Sequence, residues 1–243
     1  MAQLTVGSDL GFSPVVDCSE LTTRQINLAI RELVEEAGAT EVVVRNPAAR
    51  HNLGVAFKAE AELCFEGPVG WYAAGMNCGL SVTVRGNCGW SVAECMMSGR
   101  VAVYGHAGSS TAASIRGGTV YVDGDAGARA GIAMKGGLLV VRGSVGYMTG
   151  FMMQRGTIIV GGDAADGLGD SMYEGTIYIA GDIESLGADA VEHDLTDEDV
   201  CVLAAALGPW DTGLDPKGFR KIESGRKLWN FSTHEPEMWK VAL

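Results

Sequence analysis

At 243 residues, with 47% apolar and 20% charged side chains, the chain is long and apolar enough to bury a sizeable core as one large domain or two modest ones. Its net charge of −12, with no basic cluster, argues against nucleic acid or an anionic membrane surface as partner. The apolar runs fall short of the roughly 18 residues that span a bilayer, and the start "MAQLTVGSDLGF" lacks the basic and apolar stretches of a signal peptide, an expectation of a cytoplasmic protein.

Residues 19–38, "SELTTRQINLAIRELVEEAG", carry a helical period with Ile26, Ile30, Leu33, Val34 and Ala37 on one stripe. Thr22 and Gln25 form a capping box, and Gly38 is a suitable stop. The stretch "EVVVRNPAARHNLGVAF" supplies a strand, a turn at Asn46-Pro47 and a first irregular coil. Its dense polar cluster, Arg50, His51 and Asn52, reads either as a turn or as a partner-binding site.

From Gly67 a unit "G-x-x-G" recurs every 19 residues, at Gly67, Gly86, Gly105, Gly124 and Gly143, and the step continues to Gly162 and Gly181. Two columns are wholly apolar: Leu63, Val82, Val101, Val120, Leu139, Ile158, Ile177, and Phe65, Val84, Val103, Val122, Val141, Val160, Ile179. The columns alternating with them hold Cys64, Thr83, Ala102, Tyr121, Val140, Ile159, Tyr178 and Glu66, Arg85, Tyr104, Asp123, Arg142, Gly161, Ala180. This contrast predicts a strand with one buried face. A further column, Met96, Ile115, Met134, Met153 and Met172, predicts a second inward wall. A fixed period near 20 whose inward residues stack on their own equivalents predicts an all-β fold: a right-handed parallel β-helix, a single-stranded solenoid of 19-residue coils. Glycines take the sharp corners, where a Cβ has no room or φ is positive.

After residue 185 the period stops, and "DLTDEDVCVLAAAL" predicts a second helix with Thr196 as N-cap. Both helical segments are expected to cap the open ends of the rod. The tail that follows pairs Arg226 with Trp229 and continues to Trp239; residues 219–243 are expected to lie along a partner or another copy of the chain. The division expected is therefore an N-terminal helix-strand cap over 1–58, the β-helix over 59–190, and a C-terminal helix with a partner-contacting tail over 191–243.

Signals for chemistry are sparse. The six cysteines, Cys18, Cys64, Cys78, Cys88, Cys95 and Cys201, form no C-x-x-C pair, and the four histidines are scattered, so no zinc or iron–sulfur signature appears. No glycine-rich phosphate-binding motif occurs. The corner acids Asp123, Asp125, Asp163 and Asp182 stand where turns favour Asp, with no aromatic or basic cleft around them. No catalytic, cofactor-binding or metal-binding residue is assigned.

The order of short helix, "EVVVRNPAARHNLGVAF" and coils such as "GGTVYVDGDAGARAGIAMKGG" resembles the GXGXG β-helix family over residues 19–190. That family includes the C-terminal domain of the glutamate synthase large subunit, a β-helix component of formylmethanofuran dehydrogenase, and free-standing β-helix subunits of the N-methylglutamate synthase type. The resemblance implies a non-catalytic scaffold that binds two partners, a class II amidotransferase-like subunit and a glutamate-synthase-like subunit with FMN and an iron–sulfur cluster. No cofactor is then expected on this chain, and several copies of the complex can associate. By the same analogy the reaction is glutamate plus methylamine giving N-methylglutamate and ammonia. A formylmethanofuran-dehydrogenase-like scaffold, a polysaccharide-active β-helix enzyme and a self-assembling solenoid remain open alternatives.

Overall fold

The computed structural model describes residues 13–227. In chain order the elements are β1 Val15–Asp17, α1 Thr23–Arg31, β2 Glu41–Arg45, β3 Glu62–Glu66, β4 Cys78–Val84, β5 Ser98–Val103, β6 Thr119–Val122, β7 Lys135–Val141, β8 Arg155–Val160, β9 Thr176–Ile179, β10 Ala190–His193, α2 Asp197–Leu207 and β11 Arg220–Ser224. Strands β1 to β9 stack in sequence order in one parallel sheet, and β11 then β10 extend it antiparallel. The fold is a parallel β-solenoid of about seven regular coils.

The 19-residue step is the strand register itself. Leu63 pairs with Val82, Val82 with Val101, and so on to Ile177, each residue lying beside its own equivalent one coil on. Both apolar columns are buried from end to end. With strands about 4.8 Å apart, the seven coils make a rod roughly 30 to 35 Å long. The Met96, Ile115, Met134, Met153 and Met172 column is also fully buried.

Positions are numbered below from the first glycine of each coil. Position +2 forms a second ladder of isolated parallel bridges, Val69 to Cys88, Ala107, Ala126, Val145, Ala164 and Ile183. The third wall is a run of turns in which φ is positive at +5, +7 and +9, as at Ser91, Ala93 and Cys95 or Ser110, Ala112 and Ser114. Non-glycine residues hold this costly conformation because each such amide is bonded to a neighbouring coil: Ser91 N to Ser109 O, Ala93 N to Ala73 O, Cys95 N to Ala113 O. At the third corner Gly99 has φ +95, and a Cβ there would run into the Leu80 carbonyl.

The N-terminal helix caps the rod. Thr22 and Gln25 make the capping box, and Ile26, Ile30, Leu33 and Val34 are buried. The regular helix is shorter than its sequence pattern, because Glu32–Glu36 widens into a π-type turn. Ala37 consequently lies exposed rather than on the buried stripe. Asn27 bonds the first coil twice, from Nδ2 to Asn52 O at 2.7 Å and from Gly54 N to Oδ1 at 2.8 Å.

The other end departs from expectation. Helix α2 follows the coils and starts with the expected Thr196 cap, but it lies along the outer face of the sheet rather than over its end. The end of the ladder is taken by β11, inserted between β9 and β10. Phe219 is buried and Ile222 is fully buried, so residues 219–224 belong to the rod and do not reach out to a partner. Antiparallel addition suits a terminus, because it changes the strand direction to which a further parallel coil would have to pair. Trp229 and Trp239 lie outside the described residues.

Candidate functional site

The outer face of the sheet is covered over only part of its length. From the third coil on, the column at −3 (Ala102, Tyr121, Val140, Ile159, Tyr178) is buried against Leu203 and Leu207 of α2, Trp210 and Phe219. Trp210 stacks on Tyr121, with ring centroids 4.0 Å apart, and the Arg100 guanidinium sits 4.0 Å above the indole. Asp199 ties the helix down: it accepts from Tyr178 Oη at 2.6 Å and from Thr196 N at 2.9 Å, and pairs with Lys221 Nζ at 3.1 Å. Burial alone would raise its carboxyl, but the hydrogen bonds from Tyr178, Thr196 and Lys221 outweigh that and hold it well below the usual range. The Tyr178 phenol is pushed up, first by burial and then by the Asp199 carboxylate.

Nearer the N-terminus none of the described residues covers the same face. Glu41, Glu62, Cys64, Ser81, Thr83, Arg85, Arg100 and Tyr104 line an open groove of about 320 Å³. Among the described residues Glu62 and Arg85 have no ion-pair partner, so the groove keeps both signs of charge uncommitted.

A second uncovered region lies on the corner between the second and third walls. His51, Trp71 and Trp90 form one exposed stack, with centroids 4.6 and 5.4 Å apart and rings within 17° of parallel. Trp71 is 46% and Trp90 57% exposed, and Tyr72, Met76 and Met97 are exposed on the adjoining wall. An exposed apolar patch of this kind is a mark of an interaction surface.

The expected cluster therefore divides. Arg50 closes a turn, donating from Nη1 to Asn46 O at 3.1 Å and Pro47 O at 3.2 Å. Asn52 sits at φ 58° and offers its carbonyl to Asn27, a cap role. His51 alone joins the aromatic stack, and its Nδ1 accepts from Trp71 N at 2.9 Å. Arg226 is exposed at the opposite end, beside Tyr173, Glu174, His193 and Glu223 around a cavity of about 490 Å³. Trp71 and Trp90 are the residues that column reading passed over; their signal was aromatic identity at +4 in two successive coils.

Several of the corner acids tie neighbouring coils together. Along position +1 each side chain accepts the amide one coil on: Asn87 from His106 N, His106 Nδ1 from Asp125 N, Asp125 from Ser144 N, Ser144 from Asp163 N and Asp163 from Asp182 N, at 2.8 to 3.0 Å. His106 Nδ1 also lies 3.3 Å from Asp125 Oδ2. As an acceptor from the Asp125 amide that nitrogen carries no proton, so the contact is not an ion pair through it. Asp123 instead accepts from Tyr121 Oη at 2.7 Å and faces Arg142 at 3.5 Å.

Among the described residues no group of three or more His, Cys, Asp or Glu converges as metal donors, and no helix is long and apolar enough to cross a membrane. Burial pushes the Cys88 thiol up to about 12 and the Cys18 thiol up to about 11, so neither is an activated nucleophile.

Fold and surfaces together define a β-solenoid whose described residues cover part of the sheet face and leave one sheet half and one aromatic corner open. No family model matches the chain. Over 74 residues it is 39% identical to Protein GlxC of Rhizobium meliloti (strain 1021), a match covering 30% of this chain and 32% of that protein. The matched stretch thus spans about a third of that relative's length.

Proposed function

We propose that the chain is the non-catalytic β-helix subunit of a glutamate-synthase-like enzyme of the N-methylglutamate synthase type. Its role is to hold an amidotransferase-like subunit and an FMN and iron–sulfur subunit in register for ammonia or amine transfer. The observation that carries the reading is the uncovered surface. A rod that seals one end with α1 and its C-terminal coils with α2 leaves uncommitted charges in a groove and two tryptophans stacked in solvent. The similarity to Protein GlxC and the 19-residue coils support placing it among these free-standing β-helix subunits.

A polysaccharide-active enzyme would need aromatic platforms and paired carboxylates along one groove. Here the groove carboxylates Glu41 and Glu62 lie on the sheet face, away from Trp71 and Trp90 at +4, and the acids on the tryptophans' own edge begin two coils beyond Trp90. The test is biochemical. The pure chain should turn over neither glutamine, glutamate nor polysaccharide and should stay colourless; hydrolysis or a bound yellow chromophore in the isolated chain would refute the reading.

A further inference from the structure

The corner that carries the aromatic stack changes character along the rod. The stack runs from His51 through Trp71 to Trp90 and stops there, because the next two +4 positions are Ser109 and Ala128. A Cβ on Gly108 would stand 2.5 Å from Trp90 Cδ1, so the indole lies over a glycine of the following coil, and the next aromatic in the column is Tyr147, three coils on. From the fourth coil onward the same edge, positions +1 to +5, carries exposed Asp125, Asp163, Asp166, Asp182 and Glu184 against a single base, Arg129, with one exposed aromatic, Tyr147, among them. Asp125 and Asp163 each give one oxygen to the next coil's amide and remain exposed.

We propose that this edge docks an extended, basic segment of a partner protein bearing an aromatic side chain at one end. The aromatic ring continues the stack on Trp90, above Gly108 and Ser109. The lysines or arginines that follow run beside Asp125, Asp163, Asp166, Asp182 and Glu184. From the second coil to the seventh is about 24 Å at 4.8 Å per coil, the reach of roughly seven extended residues. Ring stacking supplies a desolvated anchor, and the acidic row supplies charge complementarity and orientation. Nucleic acid is repelled by the same row, and a sugar would use the indoles without needing the acids. The inference rests on the scaffold reading, which makes partner surfaces necessary.

Calorimetric titration of the full chain with a synthetic octapeptide, one Trp followed by alternating Lys and Gly, tests it. Saturable binding is expected, suppressed by high salt. It should weaken by about tenfold or more, some 1.4 kcal/mol, with Trp90→Ala, with the double change Asp163→Asn and Asp182→Asn, or when the peptide's Trp becomes Ala. Trp90 is exposed, so an unchanged melting temperature verifies that the variant is folded. Absence of binding, binding indifferent to Trp90→Ala, or tighter binding of an oligosaccharide than of the peptide overturns the proposal. If the chain ignores the peptide yet co-purifies with partner subunits, this inference falls and the scaffold reading stands. If it binds the peptide but co-purifies with neither an amidotransferase-like nor a flavin-bearing subunit, the scaffold reading falls and the edge stands as a docking site for some other basic partner.

Discussion

The two halves of the outer sheet face are built from the same repeat and meet opposite fates. In the C-terminal half, Tyr121, Val140, Ile159 and Tyr178 disappear under α2, Trp210 and Phe219, and the buried polar groups of Tyr178 and Asp199 satisfy one another. In the N-terminal half the equivalent positions are Cys64 and Thr83, half-buried on the floor of an open groove. The inward columns are the same in both. The inward columns therefore specify the rod, while the identity of one outward column decides whether the described residues cover that face. The seam between the halves is Arg100, which caps the Trp210 ring and also lines the groove.

The strongest way to break the comparison is to remove what both halves share. Val122→Asp puts a charge into a fully buried column with no partner and should cost several kcal/mol, abolishing a cooperative melt; an unchanged thermal transition would contradict the column assignment. Next comes the clasp on the covered half. Asp199→Ala removes the Asp199 half of the capping box of α2, takes the acceptor from Tyr178 and leaves Lys221 with Glu223 alone, an expected loss of about 3 kcal/mol by denaturant unfolding.

The same residue gives a pH signature. Its carboxyl is depressed when folded, so the stability it contributes is fully present above the unfolded value near 3.8 and is lost as pH falls through the lower folded value. Asp199→Asn should already be destabilised at neutral pH and should flatten this part of the acid limb; an identical acid profile would show that another carboxylate dominates. The smallest effect sharpens the contrast from the bare half. Arg85→Glu lies at an exposed site without an ion pair and should change stability by only about 0.5 kcal/mol, while altering partner binding.

The rod was legible because its physics is periodic. Each of Val84, Val103, Val122 and Val141 touches its own equivalent, so a 19-residue repeat in the sequence is the register of the sheet. The capping box at Thr22 and Gln25 was legible because it is local. The position of α2 was not read from the helix, whose pattern gives no location, although its signal was present elsewhere. The −3 column turns from Cys64 and Thr83 to Tyr121, Val140 and Ile159, which is too apolar for solvent. Strand β11 escaped for a similar reason: "RKIES" has only Ile222 to bury, and its place depends on the last coil offering an open edge. Of the expected cluster, Arg50 and Asn52 proved to be turn and cap, since residues that close a first irregular coil look in sequence like a binding motif.

The most direct test of the scaffold role is to purify the chain at native expression level and determine the mass, protein composition and absorbance of what elutes. The account predicts a heteromeric assembly containing an amidotransferase-like and a flavin-bearing subunit, with the flavin absorbance leaving this chain when the assembly is dissociated. A chain that elutes alone at the mass of its own 25.4 kDa, or that retains flavin or activity by itself, would contradict it.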